Sequence, residues 1–600
     1  MKCAKLSAGG LICLLVGMTV AADDEPVRAK AAQRIVKSGA PGRDGPSGTN
    51  LLPTQLWWTD RKGDLLVYES GSDQFTEIDS WKRQIKGSFA GAHTGQLRDC
   101  AVAAPNGEWS VKIDHRVPEV WFMPGDIRRA VNSVQSPSRM PNNRYVPVGS
   151  NPQALAVTPD SRKVLVACDT TGPADRRVAV VDVESGVVEY RPIKGSGNLR
   201  GIAVDPTGKY ALAVHLIPKS HLPSTQIEQG WVFTNAITWL SLDGPELTVT
   251  LPLDLRTQGF ANPEGVAVAP NGEKAWVAHA GADLVSVVDL KALRAVVQEV
   301  TKSDNGPAGP AYGVDDLRVT RLYVRARIPV GSNPRAIAVS PDGTQVAVAD
   351  RLDDSVSIID TATDSVSDTI SLYRDGARPP QGKDAVLREG EKLFHSARLS
   401  FSGQFSCASC HPDGHADGLN WDLPADGFKN FHNTKSLLGI EGTAPYGWLG
   451  TSPTLRERFT GTLRHLFQHE PSESEADALE AYLSQLRMTA AVGTPTGKAN
   501  PAIARGRVSF EGTAGCRDCH AGAKFTDRSR HDVGTGSDGA TEFDTPTLLG
   551  ISTTAPFLHD GRAATLEEIF TKHNPAGLHG HAADLAPADL ADLVEYLKSL

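Results

Sequence analysis

Two short motifs, CASCH and CRDCH, combine cysteine and histidine at a spacing that suits haem attachment. Their members are Cys407, Cys410 and His411 in the first motif and Cys516, Cys519 and His520 in the second. Two cysteines separated by two residues can each bond a vinyl group of haem, and the histidine that follows can bind the iron. Each motif therefore predicts one covalently bound haem c, which indicates redox chemistry.

Structural zinc sites and redox dithiols also use cysteine pairs of this spacing. A four-cysteine zinc site does not require histidine directly after the second cysteine of both pairs. A dithiol oxidoreductase needs a βαβ context, and the chain lacks that pattern around both motifs. Haem remains the favoured interpretation because the complete motif occurs twice.

Composition and the N-terminus restrict the class of protein. The 600 residues exceed what one hydrophobic core organises, so we expect several domains. The net charge of −9 gives no basic surface for nucleic acid. Residues 1–22 carry two lysines, an apolar run and small residues before an acidic stretch, which is typical of a cleaved signal peptide. We therefore expect a periplasmic or secreted protein.

Two cysteines outside the haem motifs and the signal segment remain, Cys100 and Cys168. Both lie in strand-like runs. In an oxidising compartment they can form a disulfide or stay buried as free thiols, and the sequence leaves both alternatives open.

Residues 51–375 contain many short β-rich runs separated by turn residues, and one strand–turn–strand phrase recurs. Its copies include LAVTPDSR, IAVDPTGK, VAVAPNGE and IAVSPDGT. Proline fixes φ in each turn and the small residues after it tolerate the tight bend. The region resembles YVTN-type β-propeller repeats, most clearly at residues 330–366. We predict an all-β propeller of seven blades, with six blades and long loops as the alternative.

The last third of the chain changes to helical periodicity and repeats itself. Residues 437–445 read LLGIEGTAP and residues 548–556 read LLGISTTAP, and GEKLF and GRVSF precede the two haem motifs. We therefore predict two mainly α-helical c-type cytochrome domains, at residues 383–490 and 498–600. Their linking phrases, above all TPTLLGISTTAPFLHDG, resemble the di-haem cytochrome c peroxidase and MauG-like family.

This resemblance implies a second axial ligand for the haem of the second domain. Family peroxidases place a methionine fourteen residues after the histidine of the HDG phrase, and the same count from His559 reaches His573. Because a neutral imidazole is a good iron ligand, we expect His520 and His573 to bind the iron from opposite sides. His579 and His581 are rivals for the position of His573.

The resemblance also assigns roles around the first haem. Trp448 matches the family's tryptophan between the two haems, where it either relays electrons or packs on the porphyrin. Asn433 matches a calcium ligand between the domains. Glu470 is the expected acid–base group for peroxide, and His469 is either an alternative or a residue that caps the iron. His415 and His432 lie nearby in sequence without a matching role.

Together these features predict a secreted di-haem enzyme that reduces hydrogen peroxide with electrons from a small cytochrome or copper protein. A MauG-like variant would instead withdraw electrons from a large protein docked on the propeller. The alternative is a non-enzymatic electron carrier whose propeller serves as a docking module. No acid, base or metal cluster stands out in the propeller, so we expect it to be a scaffold or a docking surface.

Overall fold

The computed structural model describes residues 51–600 apart from several internal segments. Those segments are residues 59–62, 73, 91–99, 114–117, 126–143, 170–175, 221, 223–231, 245, 303–313, 375–377, 423–430, 489–499 and 538–539. The predicted signal peptide at residues 1–22 lies outside the described residues.

The N-terminal half forms a β-propeller of six four-stranded antiparallel sheets. In chain order the blades are β1–β4 (Pro53–Trp58, Asp64–Glu69, Gln74–Asp79, Gln84–Ala90), β5–β8 (Cys100–Ala103, Trp109–Ile113, Glu119–Pro124, Arg144–Pro147), β9–β12 (Pro152–Val157, Lys163–Cys168, Arg176–Asp182, Val188–Ile193), β13–β16 (Gly197–Val204, Tyr210–Pro218, Phe233–Ser241, Thr248–Pro252), β17–β20 (Pro263–Val268, Lys274–His279, Leu284–Asp289, Val324–Pro329) and β21–β24 (Pro334–Val339, Gln345–Asp350, Ser355–Asp360, Ser365–Ser371).

The predicted propeller is confirmed, but seven blades is wrong and six is right. The propeller has fewer blades than its length suggests because part of that length forms insertions between strands. Between β19 and β20 the chain forms two helices, α1 (Leu290–Lys302) and α2 (Thr320–Tyr323). Buried leucines and valines of α1 pack against blades four and five, so the insertion extends the core of existing blades.

The recurring phrase forms the turn between the first and second strands of a blade. In blade six, Asp342 Oδ1 accepts hydrogen bonds from the Ser340 hydroxyl at 2.6 Å and from the Thr344 amide at 3.0 Å. Gly343 follows with φ of 75°, a left-handed conformation that glycine adopts without strain. The turn chemistry read from the sequence therefore fixes this hairpin.

The ring closes where blade one meets blade six. Leu65, Val67 and residues of blade six such as Val356 form one buried apolar cluster. Asp354 Oδ1 accepts hydrogen bonds from the Leu51 and Leu52 amides at 3.0 and 2.7 Å. Closure thus rests on side-chain packing and these bonds between two complete blades.

The C-terminal part contains two modules of the same design. The first has α3 (Lys383–His395), α4 (Cys407–Cys410), the strands β25 and β26 (Asn420–Asp422, Phe431–Asn433), α5 (Leu455–Thr462) and α6 (Glu473–Leu483). The second has α7 (Pro501–Glu511), β27 and β28 (Arg530–Ser537, Ala540–Asp544), α8 (Leu566–Thr571) and α9 (Pro587–Lys598). One turn of π-helix, Leu463–Phe467, follows α5.

A glycine explains how the first and last helices of each module cross. A Cβ atom at Gly390 would lie 1.9 Å from the Ala478 carbonyl oxygen, and one at Gly506 would lie 1.9 Å from that of Asp592. Only glycine permits this approach of α3 to α6 and of α7 to α9. The GEKLF and GRVSF phrases therefore position the helices that frame each cysteine motif.

The first module packs on the propeller through an apolar cluster. Phe233 of β15 lies 5.6 Å from Phe405 and 5.0 Å from Trp421, measured between ring centroids. All three side chains are buried. Among the described residues, no helix has both the length and the apolar character needed to cross a membrane.

Candidate haem-binding sites

The second motif presents His520 in a form suited to binding a metal. Cys516–Asp518 forms one turn of 3₁₀-helix, and the His520 amide donates to the Cys516 carbonyl at 2.9 Å. His520 Nδ1 lies 3.1 Å from the Phe525 carbonyl oxygen, which can only accept. The proton is therefore on Nδ1, and the lone pair of Nε2 is free for iron. Burial lowers the pKa of His520 and favours the neutral ring.

The first motif repeats this arrangement. Cys407–Cys410 forms α4, and the His411 amide donates to the Cys407 carbonyl at 2.8 Å. His411 Nδ1 lies 3.2 Å from the carbonyl oxygen of His415, and burial lowers the pKa of His411 to about 4. His415 thus contributes its backbone carbonyl to the orientation of His411. All four motif cysteines are free thiols, available for thioether bonds.

A cavity of about 380 Å³ lies beside the second motif. Cys516, Cys519 and His520 line one side of it, and His579 and Phe570 are among the residues on the other. The ring centroids of His520 and His579 are 6.4 Å apart. Two imidazoles that bind one metal ion from opposite sides through bonds of about 2 Å have ring centres about 6 Å apart. The residues therefore fit a haem whose iron has two histidine ligands.

The structure does not bring His573 to this cavity. Helix α8 ends at Thr571 and His573 lies two residues beyond that end, whereas His579 reaches the cavity only after a further stretch of loop. Burial lowers the pKa of His579 to about 4, so its imidazole is neutral. The amide of His581 donates to the Ala514 carbonyl at 2.9 Å, and His581 also lies outside the lining. His573 therefore stays a prediction that this geometry does not favour, because the loop after α8 brings His579 to the cavity instead.

The equivalent position in the first module is Gln468. Isolated β-bridges join Tyr446 to Ser452 and Phe557 to Ala563, so the two modules are in register at this point. Gln468 follows Trp448 by twenty residues, as His579 follows His559. Gln468 is exposed and has a left-handed backbone with φ of 55°. The first module therefore has no histidine where the second module has His579.

Of the expected acid–base residues of the first site, Glu470 is exposed and His469 is half-buried. Glu470 forms a bidentate ion pair with Arg464, with distances of 2.7 and 2.8 Å. This pairing lowers the pKa of Glu470. His469 Nε2 lies 3.2 Å from Glu475 in the cap of α6. The structure thus gives both residues a local structural partner.

Arg458 is a charged residue near the first motif that the motif comparison missed. It occupies the position in α5 that Ile569 occupies in α8, and Ile569 lines the cavity of the second module. A Cβ atom at Gly447 would lie 3.3 Å from Arg458 Nη1, and the charge of Arg458 helps to lower the pKa of His411. The internal repeat was the signal that pointed to this position.

Trp448 lies at the contact between the two modules and lines the cavity. Its Nε1 donates to the Asn433 carbonyl at 2.7 Å, and its own carbonyl accepts from the Asp544 amide at 2.8 Å. The Lys435 ammonium lies 4.5 Å from the centroid of the Trp448 ring. This is a cation–π contact, and it places a positive charge beside the indole.

Lys435 and Asp544 form a pair across the same contact. Lys435 Nζ lies 3.4 Å from Asp544 Oδ2 and donates to the Gly447 carbonyl at 3.1 Å. Burial lowers the pKa of Lys435 and raises the pKa of Asp544 to about 6. The pair thus joins the two modules at their contact.

Asn433 has the features expected of a cation ligand. Its side-chain Oδ1 is buried and has no hydrogen-bond partner, while Nδ2 donates to the Pro556 carbonyl at 2.5 Å. An amide oxygen and a backbone carbonyl at one place are hard ligands of the type that calcium prefers. His432, which precedes Asn433, packs edge-on against His559 at 6.0 Å between ring centroids.

Buried polar groups in the described part of the propeller serve the fold. His215 Nε2 lies 2.6 Å from the Thr238 hydroxyl, and His279 Nε2 lies 2.8 Å from that of Ser286. Cys100 and Cys168 are free thiols, so the structure has no disulfide between them. The described residues contain one group of three candidate metal ligands, Cys519, Asp527 and His531, and it includes a haem-motif cysteine.

Comparison with known proteins places these sites in a family. A family model described as di-haem cytochrome c peroxidase matches residues 385–495. Hydrazine synthase subunit gamma of Kuenenia stuttgartiensis is 32% identical over 279 residues, which cover 36% of this chain and 78% of that subunit. The chain belongs to the di-haem cytochrome c peroxidase family. Its cofactor is therefore covalently bound haem c, and its class is that of the oxidoreductases.

Two further relatives are similar to this chain over about a third of its length. Hydrazine synthase subunit beta of the same organism is 34% identical over 214 residues, which cover 36% of this chain and 54% of that subunit, so the chain spans about half of its length. Methylamine utilization protein MauG of Methylophilus methylotrophus is 26% identical over 270 residues, which cover 35% of this chain and 81% of MauG. In this chain the two modules that carry the cysteine motifs follow a six-bladed propeller.

Proposed function

We propose that this family member carries two haems and reduces hydrogen peroxide with electrons from a small redox protein, outside the cytoplasm. The observation that supports this most directly is the asymmetry between the two modules. The second module has two histidines facing one another, whereas the first has Gln468 at the position of the second histidine. An iron with two protein ligands transfers electrons, and an iron with one protein ligand is open to a substrate.

The chain's own residues hold the cofactors. Cys407 and Cys410 would bond one haem, and Cys516 and Cys519 the other, while His411 and His520 offer Nε2 to the irons. When bound, haem supplies the metal that accepts peroxide and passes electrons. The hydrogen bonds of His411 and His520 to backbone carbonyls fix the ring orientation and raise the basicity of Nε2.

The second site is proposed as the electron-transfer site. His579 would hold the iron together with His520, because the two rings lie 6.4 Å apart at the cavity. A haem held by both imidazoles would supply electron transfer and leave no place for peroxide. The role first expected for His573 is therefore proposed for His579.

The first site is proposed as the place of peroxide reduction. Arg458 offers a fixed positive charge near His411, and such a charge favours the hydroperoxide anion over neutral peroxide. Trp448 lies between the modules and is the proposed relay for electrons. The Lys435 ammonium beside its ring makes removal of an electron from the indole more difficult.

Calcium is proposed at Asn433, where the partnerless Oδ1 is buried at the contact between the modules. A cation there would bind the modules together because Asn433 belongs to the first and Pro556 to the second. Residues 1–22 would direct export, so the proposed location is the periplasm or the exterior.

An electron carrier without enzyme activity is the second candidate. It is favoured by the local partners of Glu470 and His469, which engage the expected acid–base groups away from the first haem motif. In that case the electron donor and acceptor are both proteins, and an exposed part of the propeller serves as a docking surface. The MauG-like oxidation of a large protein substrate would use the same docking surface.

Electron paramagnetic resonance and optical spectra of the holoprotein test the proposal. They are recorded on the oxidised and the half-reduced protein before and after addition of hydrogen peroxide. We expect one low-spin haem that does not change and one haem whose signal changes with peroxide. Two low-spin haems that ignore peroxide at every redox level would exclude the peroxidase and leave the electron carrier.

A further inference from the structure

The attachment loops of the two haems differ in exposure. Ala408 and Ser409, between the cysteines of the first motif, are buried with exposed fractions of 7% and 1%. Arg517 and Asp518, between the cysteines of the second motif, are exposed. Thioether bonds tie one edge of each haem to its cysteines, so these residues show how near that edge lies to solvent.

The propeller is what buries the first loop, and two asparagines hold it. Asn198 Nδ2 donates to the Ser409 carbonyl at 2.8 Å. Asn262 Nδ2 donates to the Ser406 hydroxyl at 2.8 Å, and the Ser409 hydroxyl donates to Asn262 Oδ1 at 2.7 Å. Both asparagines have a left-handed backbone, with φ of 46° and 55°. They lie at the start of the first strands of blades four and five, around the central axis of the ring.

A cluster of salt bridges continues this contact between the propeller and the first module past His411. Asp413 lies two residues after His411, and its carboxylate is 3.0 Å from Arg335 and 3.6 Å from Arg200. Arg335 is also 3.2 Å from Glu264. These propeller residues belong to the first strands of blades four, five and six. Breaking a buried pair on one side costs several kcal/mol, so the cluster disfavours separation of the two parts.

The geometry points to a specific role for the propeller. This inference rests on the proposed function of the two haems. The central face of the propeller closes the attachment edge of the first haem against external proteins. The exposed loop of the second haem, around Arg517 and Asp518, is then the place where the external electron-transfer protein docks. Encounters between redox proteins are small and transient, so the partner must approach an uncovered haem edge.

Hydrogen-exchange mass spectrometry of the holoprotein tests the closure. We expect the peptide covering residues 404–417 to exchange as slowly as the propeller strands, and the peptide covering residues 513–523 to exchange at least about tenfold faster. Equal, fast exchange of both peptides in the unaltered protein would overturn the closure. This measurement does not depend on peroxide turnover, so it separates the present inference from the proposed function.

A double variant, Asn198→Gly with Asn262→Gly, removes the hydrogen bonds to the loop and keeps the left-handed backbone. We expect exchange of residues 404–417 to accelerate at least about tenfold. Asn151→Gly is the matched control, because Asn151 occupies the same position in blade three and donates to Asp169 inside the propeller at 2.9 Å. Unchanged exchange in the double variant, or equal acceleration in the control, would overturn the role of the asparagines. The single variant Asn262→Gly replaces the double variant if the latter does not fold.

Charge reversal tests the docking surface with reduced cytochrome c, a basic protein, as the probe. At low ionic strength Asp518→Lys is expected to lower the second-order rate constant for reduction of the second haem at least about threefold. Glu299→Lys is the control, because Glu299 lies on α1 with 76% of its side chain exposed and the change in charge is the same. Equal effects of the two reversals would overturn the assignment of the docking surface, whatever the peroxidase activity.

Discussion

His579 and Gln468 occupy equivalent positions in two modules of one design, and they are chemically different. The two positions are equivalent because the modules align residue by residue from the β-bridges at Tyr446 and Phe557 onward. In the proposed function, this single difference in side chain closes one iron and leaves the other open. The proposed division of labour between the haems thus depends on a few residues.

The first prediction concerns the second axial ligand. His579→Ala removes the ring that faces His520, so the second haem should change from low spin to high spin in electron paramagnetic resonance and optical spectra. His573→Ala is the matched control, and it should leave the low-spin signal unchanged because His573 lies outside the cavity. The reverse outcome would restore His573 as the ligand.

The second prediction concerns the first haem. Arg458→Leu replaces the cation by an apolar residue, as Ile569 does in the second module, and should lower kcat/KM for peroxide about tenfold or more. Glu470→Gln should change it by less than about twofold, because Glu470 is engaged with Arg464 at the surface. Steady-state kinetics with a reduced cytochrome measure both. A large effect of Glu470→Gln alone would indicate a rearrangement that brings Glu470 to the haem.

At this scale the sequence predicted the residues whose roles follow from local spacing. The cysteines, His411 and His520 are fixed by one turn of chain each, and the structure gives both histidines the expected free Nε2. The opposite ligand depends on the path of a loop after α8, and spacing alone does not show which histidine of that loop turns inward. The cysteine–histidine motif does not predict Arg458, because arginine has no fixed position relative to that motif.

Four blades of the propeller, the first, fourth, fifth and sixth, each have a buried polar pair between their second and third strands. Besides the two histidine–hydroxyl pairs, Asp350 accepts a hydrogen bond from Ser357 at 2.7 Å, and Glu69 one from Thr76. The pairs occupy corresponding places although the residue types differ. A buried polar atom without a partner destabilises the fold, so each pair must be complete.

The third prediction is a dependence of propeller stability on pH. Burial lowers the pKa of His215 to about 4 and that of His279 to about 3, whereas both have a pKa of about 6.5 in the unfolded chain. Between these values the unfolded chain binds more protons. The stability from the neutral rings is therefore complete above pH 6.5 and is lost as the pH falls toward the folded pKa values. From pH 7 to pH 5 we expect a loss of about 2 kcal/mol for each histidine.

Chemical denaturation at both pH values measures this loss. His279→Asn should reduce the difference between pH 7 and pH 5 by about 2 kcal/mol. The exposed His465 is the control residue, and His465→Asn should leave the difference unchanged. A pH difference that is the same in all three proteins would show that the buried rings are not its source.

The elements themselves were largely predictable, and their number was not. Strand–turn–strand phrases such as the one at Pro341 gave the blades, since proline, aspartate and glycine have fixed roles in these turns. The length of the region suggests one blade too many, because α1 and α2 occupy an insertion between β19 and β20 that adds residues without adding a blade. The polar pairs are difficult to recognise in the sequence because the residue on the second strand changes from glutamate to histidine to aspartate between blades.

At the scale of the whole molecule, the propeller and the first module share one apolar cluster. Leu216, Val232 and Phe233 of blade four pack with Phe405 and other residues of the first module. The sequence predicts two kinds of domain but does not predict how they contact each other. The contacting residues are far apart in the sequence, so no local pattern connects them. In the sequence, the apolar residues of this contact cannot be distinguished from those of an ordinary hydrophobic core.

The fourth prediction is that the propeller and the first module unfold as one unit because of this cluster. Phe233→Ala removes a buried ring that contacts Phe405 and Trp421, at a cost of about 3–5 kcal/mol. We expect the single thermal transition of the two parts, followed by calorimetry and by haem absorption, to separate into two transitions. Phe75→Ala is the control, because Phe75 is equally buried in blade one against Tyr68 at 4.9 Å. It should lower the common transition without dividing it, and division in both variants would show that the cluster at Phe233 does not couple the two parts.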